Sequence, residues 1–128
     1  MTLVTIVVPD YDAAIRFFCD ALGWRLVEDT PLAPGKRWVV VAPGQGGAHV
    51  LCAKAATPRQ AARIGDQTGG RVGFFLETEN FERDHAAMTA NGVEFIEPPR
   101  HEPYGIVAKF RDPFGNLWDL LERAGGER

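Results

Sequence analysis

The sequence predicts an α+β protein built from two tandem βαβββ modules. Each half of the chain has one β-rich run, then a segment with apolar residues at helical spacing, then three more β-rich runs divided by turn residues. The apolar positions of the two helical segments also correspond in pairs: Tyr11 with Phe81, Ile15 with His85, and Phe18 with Met88. Such self-similarity indicates a duplicated unit. Two such units are expected to form a curved mixed sheet around a cavity.

The first module is predicted over residues 1–56. Asp10 offers a side-chain oxygen that can cap the helix, and Gly23 ends it. The β-rich runs predict four strands in this module: Leu3–Val8, Trp24–Glu28, Arg37–Ala42 and Ala48–Lys54.

A linker at 57–69 joins this module to the second one, predicted over 70–123. Thr57 and Pro58 are typical of the start of a short linker helix. The helix of the second module is predicted between Asn80 and Asn91. Its four strands are predicted at Arg71–Glu77, Val93–Ile96, Ile106–Arg111 and Leu117–Glu122.

Composition excludes several classes of protein. A chain of 128 residues, 45% hydrophobic and 24% charged, is typical of one globular domain. Its formal charge of -3 and its scattered Lys and Arg residues argue against a nucleic-acid partner. Because no apolar run approaches about 18 residues and no signal peptide is recognised, we expect a cytoplasmic protein without a membrane partner. Cys19 and Cys52 are then expected to be free thiols.

Two segments carry a family resemblance. One is FRDPFGNLWDLLE, from Phe110 to Glu122, which is a turn followed by a strand with one acid among hydrophobic residues. The other is VVPDYDAAIRFF, from Val7 to Phe18, which runs on to Leu22-Gly23-Trp24. Together these segments resemble the vicinal oxygen chelate family of glyoxalases, extradiol dioxygenases and bleomycin-resistance proteins. The resemblance implies a homodimer, since many members complete their cavities with a partner chain.

The resemblance also implies where a metal would bind. In the metal-dependent members, four side chains on four strands hold one divalent ion, and the matching places here hold Leu3, Leu51, Gly73 and Asp119. Such ions need imidazole nitrogen or carboxylate oxygen at about 2.0–2.2 Å. A shift of two residues in the fourth strand puts His49 in the place of Leu51, which gives at most two ligands, His49 and Asp119. We therefore expect no metal and no other cofactor.

Period-two alternation sorts the strand residues into two faces. By resemblance, the face that holds Asp119 is the concave one. Asp119 and His49 are the candidate catalytic residues. The candidate contacts to a substrate are Thr5, Val7, Trp38, Leu51, Phe75, Tyr104 and Lys109.

Several of these residues have more than one interpretation. Asp119 is either a ligand contact or general base, or the ion-pair partner of Lys109 or Arg111. His49 is either a donor, acid or base toward a ligand, or a hydrogen-bonded structural residue. The stiff segment Pro98–Gly105 is expected to be a loop at the cavity rim.

The aromatic and basic candidates have alternatives too. Tyr104 either covers a bound ligand or caps the hydrophobic core. Trp38 either packs in the core or stacks on a flat ligand. Lys109 either attracts an anion, together with Arg111, or belongs to a solvated face. His85 is predicted to pack in the core.

Two functions follow from these observations. The first is a metal-independent binder of a small molecule, which either sequesters its ligand or catalyses a reaction of unknown type. The second is a metal-dependent lyase, isomerase or dioxygenase. The number of His and carboxylate side chains that converge in the cavity distinguishes the two.

Overall fold

The structure is a computed structural model that describes residues 2–44 and 46–126. The chain divides into two compact units, 1–67 and 68–128. Each unit contains one mixed β-sheet with helices, so the predicted α+β class is confirmed.

The first unit contains a four-stranded sheet in the order β1-β4-β3-β2. Its elements are β1 (Leu3–Val8), α1 (Tyr11–Ile15), a π-helical continuation of α1 (Arg16–Ala21), β2 (Arg25–Ala33), β3 (Lys36–Ala42), β4 (His49–Lys54) and α2 (Pro58–Ala61). β1 pairs in parallel with β4, and the other pairs are antiparallel.

The first helix covers one face of this sheet. The Asp10 side chain caps it by accepting a hydrogen bond from the Ala13 amide at 2.8 Å. α1 contacts β3 and β4, and side chains on this side of the sheet are fully buried: Ile6, Val8, Val39, Val41 and Cys52. The opposite face of the sheet is therefore the one that α1 leaves uncovered.

The structure differs from the prediction along β2. The predicted strand ended at Glu28, but β2 continues to Ala33 through two irregularities in the pairing. Pro31 is tolerated because β2 lies at the edge of the sheet. The extension is also held by Arg37 of β3, whose Nε and Nη2 donate to the Asp29 carboxylate at 3.1 and 2.8 Å.

The second unit contains a sheet in the order β5-β9-β8-β6, and β7 also pairs with β8. Its elements are β5 (Phe74–Glu77), α3 (Phe81–Ala90), β6 (Glu94–Phe95), β7 (Arg100–Glu102), β8 (Gly105–Arg111), β9 (Leu117–Arg123) and a 3-10 helix (Ala124–Gly126). β5 pairs in parallel with β9, and the other pairs are antiparallel.

Two predictions for this unit were wrong in detail. β5 begins at Phe74 rather than Arg71, although the Gly73 amide still donates to the Leu117 carbonyl at 3.1 Å. The predicted rim loop instead contains β7, which forms a hairpin with β8. The hairpin depends on Gly105, whose φ is 147°.

Aromatic rings pack between α3 and the sheet. The His85 ring lies 5.3 Å from that of Phe81 and 4.1 Å from that of Phe95. The Trp118 ring lies 5.6 Å from that of Phe110. His85 therefore packs in the core, as predicted.

The turn before β9 is organised by one buried carboxylate. Asp112 is 2% exposed, and its Oδ1 accepts from the amides of Phe114 and Asn116 at 3.0 and 2.9 Å. Its Oδ2 accepts from Asn116 Nδ2 and Trp118 Nε1 at 2.9 and 3.0 Å. These four bonds fix the start of β9 and therefore the position of Asp119 on it.

Within residues 2–44 and 46–126, the helices are too short or too polar for any of them to cross a membrane. Cys19 and Cys52 are free thiols, and Cys52 is fully buried.

Candidate functional site

The candidate site of the second unit lies on the sheet face that points away from the aromatic core. Cross-strand pairing places Phe75 of β5 and Lys109 of β8 on either side of Asp119 of β9. We call this surface the Asp119 face and define it by seven residues: Phe75, Glu77, Val107, Lys109, Leu117, Asp119 and Leu121.

The Asp119 carboxylate lacks a partner at one oxygen. The residue as a whole is half-buried, but its Oδ1 is enclosed and has no hydrogen-bond partner. Leaving such an acceptor unsatisfied costs about 1–3 kcal/mol, and the cost is larger for a charged group. Native proteins contain few such atoms, and a bound ligand is one reason for keeping one.

The predicted ion-pair alternative for Asp119 is not realised in the described part of the chain. Arg111 instead contacts Glu94, with 3.2 Å between Nη1 and Oε2. Lys109 faces Asp119 across the β8–β9 ladder but forms no ion pair with it within residues 2–44 and 46–126. Oδ1 of Asp119 therefore remains without a partner in the described part of the chain.

Two further charged residues lie near Asp119. Glu97 Oε2 accepts from the Lys109 amide at 3.1 Å and from Arg100 Nε at 3.0 Å. Arg100 Nη1 also donates to Glu102 Oε2 at 2.5 Å. Two carboxylates therefore contact the single Arg100 guanidinium.

These surroundings change the proton affinity of Asp119. Burial is the largest effect and raises the pKa of the Asp119 carboxyl above its ordinary value. The charges of Lys109 and Arg100 oppose this rise, and the negative charge of Glu97 adds to it. A carboxylate with a raised pKa is a stronger proton acceptor than an ordinary one.

Aromatic side chains stand exposed in this part of the unit. Phe75 is 62% exposed, although it lies directly beside Asp119 in the sheet. Tyr104 is 54% exposed in the β7–β8 turn. Tyr104 therefore does not cap a core within the described residues.

The candidate residues of the first unit lie on the sheet face opposite α1. His49 pairs with Leu3, and its Nδ1 is enclosed without a hydrogen-bond partner. The interpretation of His49 as a hydrogen-bonded structural residue is therefore not supported at this atom. Leu51 pairs with Thr5 on β1 and with Val40 on β3.

The remaining predicted contacts lie on the same face of the first sheet. Trp38 is partly buried and pairs with Thr30. Val7 is partly buried and Thr5 is exposed. The backbone of both residues is engaged by Gln67, whose Oε1 accepts from the Val7 amide at 2.6 Å and whose Nε2 donates to the Thr5 carbonyl at 3.1 Å.

The residues present do not fit the four-ligand metal site of the metal-dependent proteins. Of the matching places, only Asp119 carries a donor. At Gly73 an added Cβ would lie 2.7 Å from Thr68 Cγ2, so a ligand-bearing side chain there requires Thr68 to move. In the ranges 2–44 and 46–126, no group of three or more His, Cys, Asp or Glu residues is arranged to hold a metal ion.

Sequence reasoning missed three residues that shape these surfaces. Arg100 approaches Asp119 because β7 pairs with β8, and the Pro103-Tyr104 turn carries no usual hairpin signal. Glu97 follows β6, whose pairing with β8 continues to the bond between the Ile96 amide and the Lys109 carbonyl. Gln67 was assigned to the linker, and nothing in its sequence neighbourhood indicates a bond to β1.

Comparison with known proteins gives the family. The family model described as Glyoxalase/Bleomycin resistance protein/Dioxygenase superfamily matches residues 1–120. The chain therefore belongs to this superfamily, as the two sequence segments indicated. The fold agrees with this assignment, since solved members have the same architecture.

Individual relatives add little about the function beyond the superfamily. An uncharacterized protein of Shewanella frigidimarina (strain NCIMB 400) is 49% identical over 121 residues, which cover 93% of this chain and 90% of the relative. The structure of UcmS2 matches with a TM-score of 0.81 and 27% identity, covering 94% of this chain and 96% of UcmS2. TnmS3, an antibiotic binding protein from Streptomyces sp. CB03234, matches with a TM-score of 0.78 and 27% identity over 97% of this chain and 95% of TnmS3.

Proposed function

We propose that this member of the superfamily binds a small organic molecule on the Asp119 face without the help of a metal ion. The observation that carries the proposal is the enclosed Oδ1 of Asp119, which has no hydrogen-bond partner. Phe75, whose ring is exposed, is the register partner of Asp119 on the neighbouring strand. A ligand with a hydrogen-bond donor and an apolar surface would satisfy both groups. The similarity to TnmS3, an antibiotic binding protein, supports the proposal further.

Asp119 is also the residue best suited to act on a bound molecule. Its pKa is raised by burial, so it can accept a proton from a ligand that donates to Oδ1. Lys109, on the neighbouring strand, supplies the positive charge that would stabilise negative charge developing on the ligand. Binding requires only the hydrogen bond from the ligand to Oδ1, whereas catalysis would also require the positive charge of Lys109.

A binding experiment on metal-free protein tests the proposal. The protein is dialysed against a chelator, and a panel of neutral, cationic and anionic organic compounds is titrated while backbone amide shifts are followed by NMR. We expect saturable binding of at least one compound, with the largest shifts at residues of β5, β8 and β9. The Asp119→Asn variant should weaken this binding, whereas Asp20→Asn, which changes an exposed acid of the first unit, should not.

The same experiment tests the metal-dependent alternative. Binding that appears only after nickel, zinc, iron or manganese is added would contradict the proposal. So would elemental analysis of protein purified without added metal that finds about one ion per chain, lost in the Asp119→Ala variant.

We further propose that the protein is a homodimer. Every residue of β2 is exposed, and the apolar side chains Leu26, Val27 and Leu32 are 44%, 39% and 54% exposed along this edge strand. An exposed apolar edge favours association with a second copy. Light scattering at micromolar concentration should give twice the 14.1 kDa mass of one chain, and Leu32→Lys should shift the mass toward that of one chain. The mass of a single chain for the unaltered protein would contradict this proposal.

A cytoplasmic location completes the proposal. Cys19 and Cys52 are both free, which is typical of proteins kept in a reducing compartment. Cell fractionation tests this location, and recovery of the protein from a secreted or membrane fraction would contradict it.

A further inference from the structure

The exposed ring of Phe75 provides a surface for one class of ligand. A phenylalanine that is 62% exposed loses the free energy that burying its ring would provide, so a partner that covers the ring is favoured. Planar aromatic molecules cover a phenyl ring most completely, with ring centres about 4.5–7 Å apart.

The spacing of the sheet places this ring beside the acceptor. Phe75 and Asp119 are register partners on adjacent strands, and adjacent strands are about 4.8 Å apart. A flat molecule that stacks on Phe75 therefore extends over Asp119 at its edge. A donor group on that edge meets the Asp119 carboxylate, and a rotation of this side chain would present Oδ1, which has no partner in the protein.

The surrounding charges favour a neutral donor. Lys109 and Asp119 are register partners on neighbouring strands and carry opposite charges, so the two side chains together have no net charge. The charges of Arg100 and Glu97 also act on Asp119, but in opposite directions. A cationic ligand would be attracted by Asp119 and repelled by Lys109, and an anionic ligand would meet the reverse.

Resting on the proposed function, we infer that the ligand class is planar aromatic molecules with a neutral O–H or N–H donor at the ring edge. The ring stacks on Phe75, and the donor group donates a hydrogen bond to Oδ1 of Asp119. Lys109 lies beyond this bond, where its ammonium group can donate to an acceptor on the same ligand.

Two matched probes test the donor. 2-Naphthol and 2-methoxynaphthalene share one ring system, but only the first carries an O–H donor. We expect the unaltered protein to bind 2-naphthol about tenfold more tightly or better, the effect of one hydrogen bond to a charged acceptor. Two charged probes, 2-naphthylmethylammonium and 2-naphthoate, should bind more weakly than 2-naphthol.

Two variants separate the roles of the residues. Asp119→Leu removes the acceptor and should abolish the preference for 2-naphthol over 2-methoxynaphthalene. Phe75→Ala should lower the affinity for both probes by similar factors and leave the ratio of the two affinities unchanged. Val4→Ala removes a side chain that is 41% exposed on β1 of the first unit and should change neither affinity.

The outcomes distinguish this inference from the proposed function. Equal affinity of the unaltered protein for the two neutral probes, or tighter binding of either charged probe, would overturn the ligand class. Failure of all four naphthalene probes, while other compounds of the panel bind at β5, β8 and β9, would overturn it as well. Failure of every compound in the panel would instead remove the proposed function itself. Because the comparison of probes on the unaltered protein needs no variant, it remains decisive even if Asp119→Leu does not fold.

Discussion

Replacing Asp112 with Asn should lower the stability of the protein strongly. Asp112 is 2% exposed, and its carboxylate accepts four hydrogen bonds, two at each oxygen. In the Asp112→Asn variant, one oxygen becomes an NH₂ group, so two of the donors lose their acceptor whichever way the amide is oriented. With about 1–3 kcal/mol for each of the two unsatisfied donors, the free energy of unfolding should fall by roughly 2–6 kcal/mol.

Urea denaturation followed by far-UV circular dichroism at pH 7 measures this loss. The matched control is Asp66→Asn, since the Asp66 side chain is 51% exposed and contacts Arg63 at 3.5 Å. That change should alter the free energy of unfolding by no more than about 0.5–1 kcal/mol. Equal effects of the two substitutions would refute the view that the Asp112 carboxylate holds the turn before β9.

A double-mutant cycle identifies the bond that matters within this turn. Trp118→Phe removes the indole donor that reaches Asp112 Oδ2 at 3.0 Å. If the two residues act through this bond, the loss in the double variant should be smaller than the sum of the single losses by about 0.5–3 kcal/mol. Additive losses would show that Trp118 contributes through packing alone.

Three other changes have defined outcomes. Gly105→Ala should lower the free energy of unfolding by roughly 3 kcal/mol, because φ is 147° and an added Cβ would lie 2.0 Å from the Glu122 carbonyl oxygen. The control Gly44→Ala should be nearly neutral in the same urea titration, since an added Cβ there has nothing within 4 Å. The pKa of Asp119 is raised in the folded protein, so its contribution to stability is fully present below the ordinary value of 3.8 and is lost as pH rises through the folded-state pKa. Over that pH rise, the Asp119→Asn variant should therefore gain stability relative to the unaltered protein. Urea titrations at several pH values measure this trend, and the reverse trend would contradict the prediction. Gln67→Ala should accelerate hydrogen exchange of the Val7 amide, measured by NMR, since Gln67 Oε1 is the acceptor for that amide at 2.6 Å; an unchanged rate would count against the bond.

Local chemistry made most of the elements predictable. Asp10, Thr57 and Asn80 each accept a backbone hydrogen bond at a helix start, as their residue types suggested. β7 was missed because Pro103-Tyr104 is an unusual two-residue turn and the Gly follows it at position 105. Pairing with β8 outweighed that local signal.

The extent of β2 and the end of the first helix depended on tertiary contacts. Pro31 argued against a long strand, but an edge strand does not need its missing amide. The apolar spacing from Tyr11 to Phe18 fits an α-helix, but the structure is π-helical from Arg16 onward, and Phe17 and Phe18 are buried there. Apolar spacing alone does not distinguish these two helix types over so short a segment.

The candidate site was only partly predictable. A single acid in an apolar strand singled out Asp119, and alternation placed Phe75 on the same face. Alternation cannot tell whether a face is covered, so the 62% exposure of Phe75 required the structure. The contact of Glu97 with Arg100 depends on the β7 hairpin. It could not be predicted, because the Pro103-Tyr104 turn does not indicate a hairpin.

The most direct test of metal-independent binding compares affinity and stability for one substitution in metal-free protein. Asp119→Asn keeps the shape of the side chain and removes its charge. A compound that binds the unaltered protein should bind this variant about tenfold more weakly or worse, as calorimetric titration measures it. The free energy of unfolding at pH 7 should not fall, because the enclosed Oδ1 has no partner to lose. Lowered stability with unchanged affinity would remove Asp119 from the site and contradict the account.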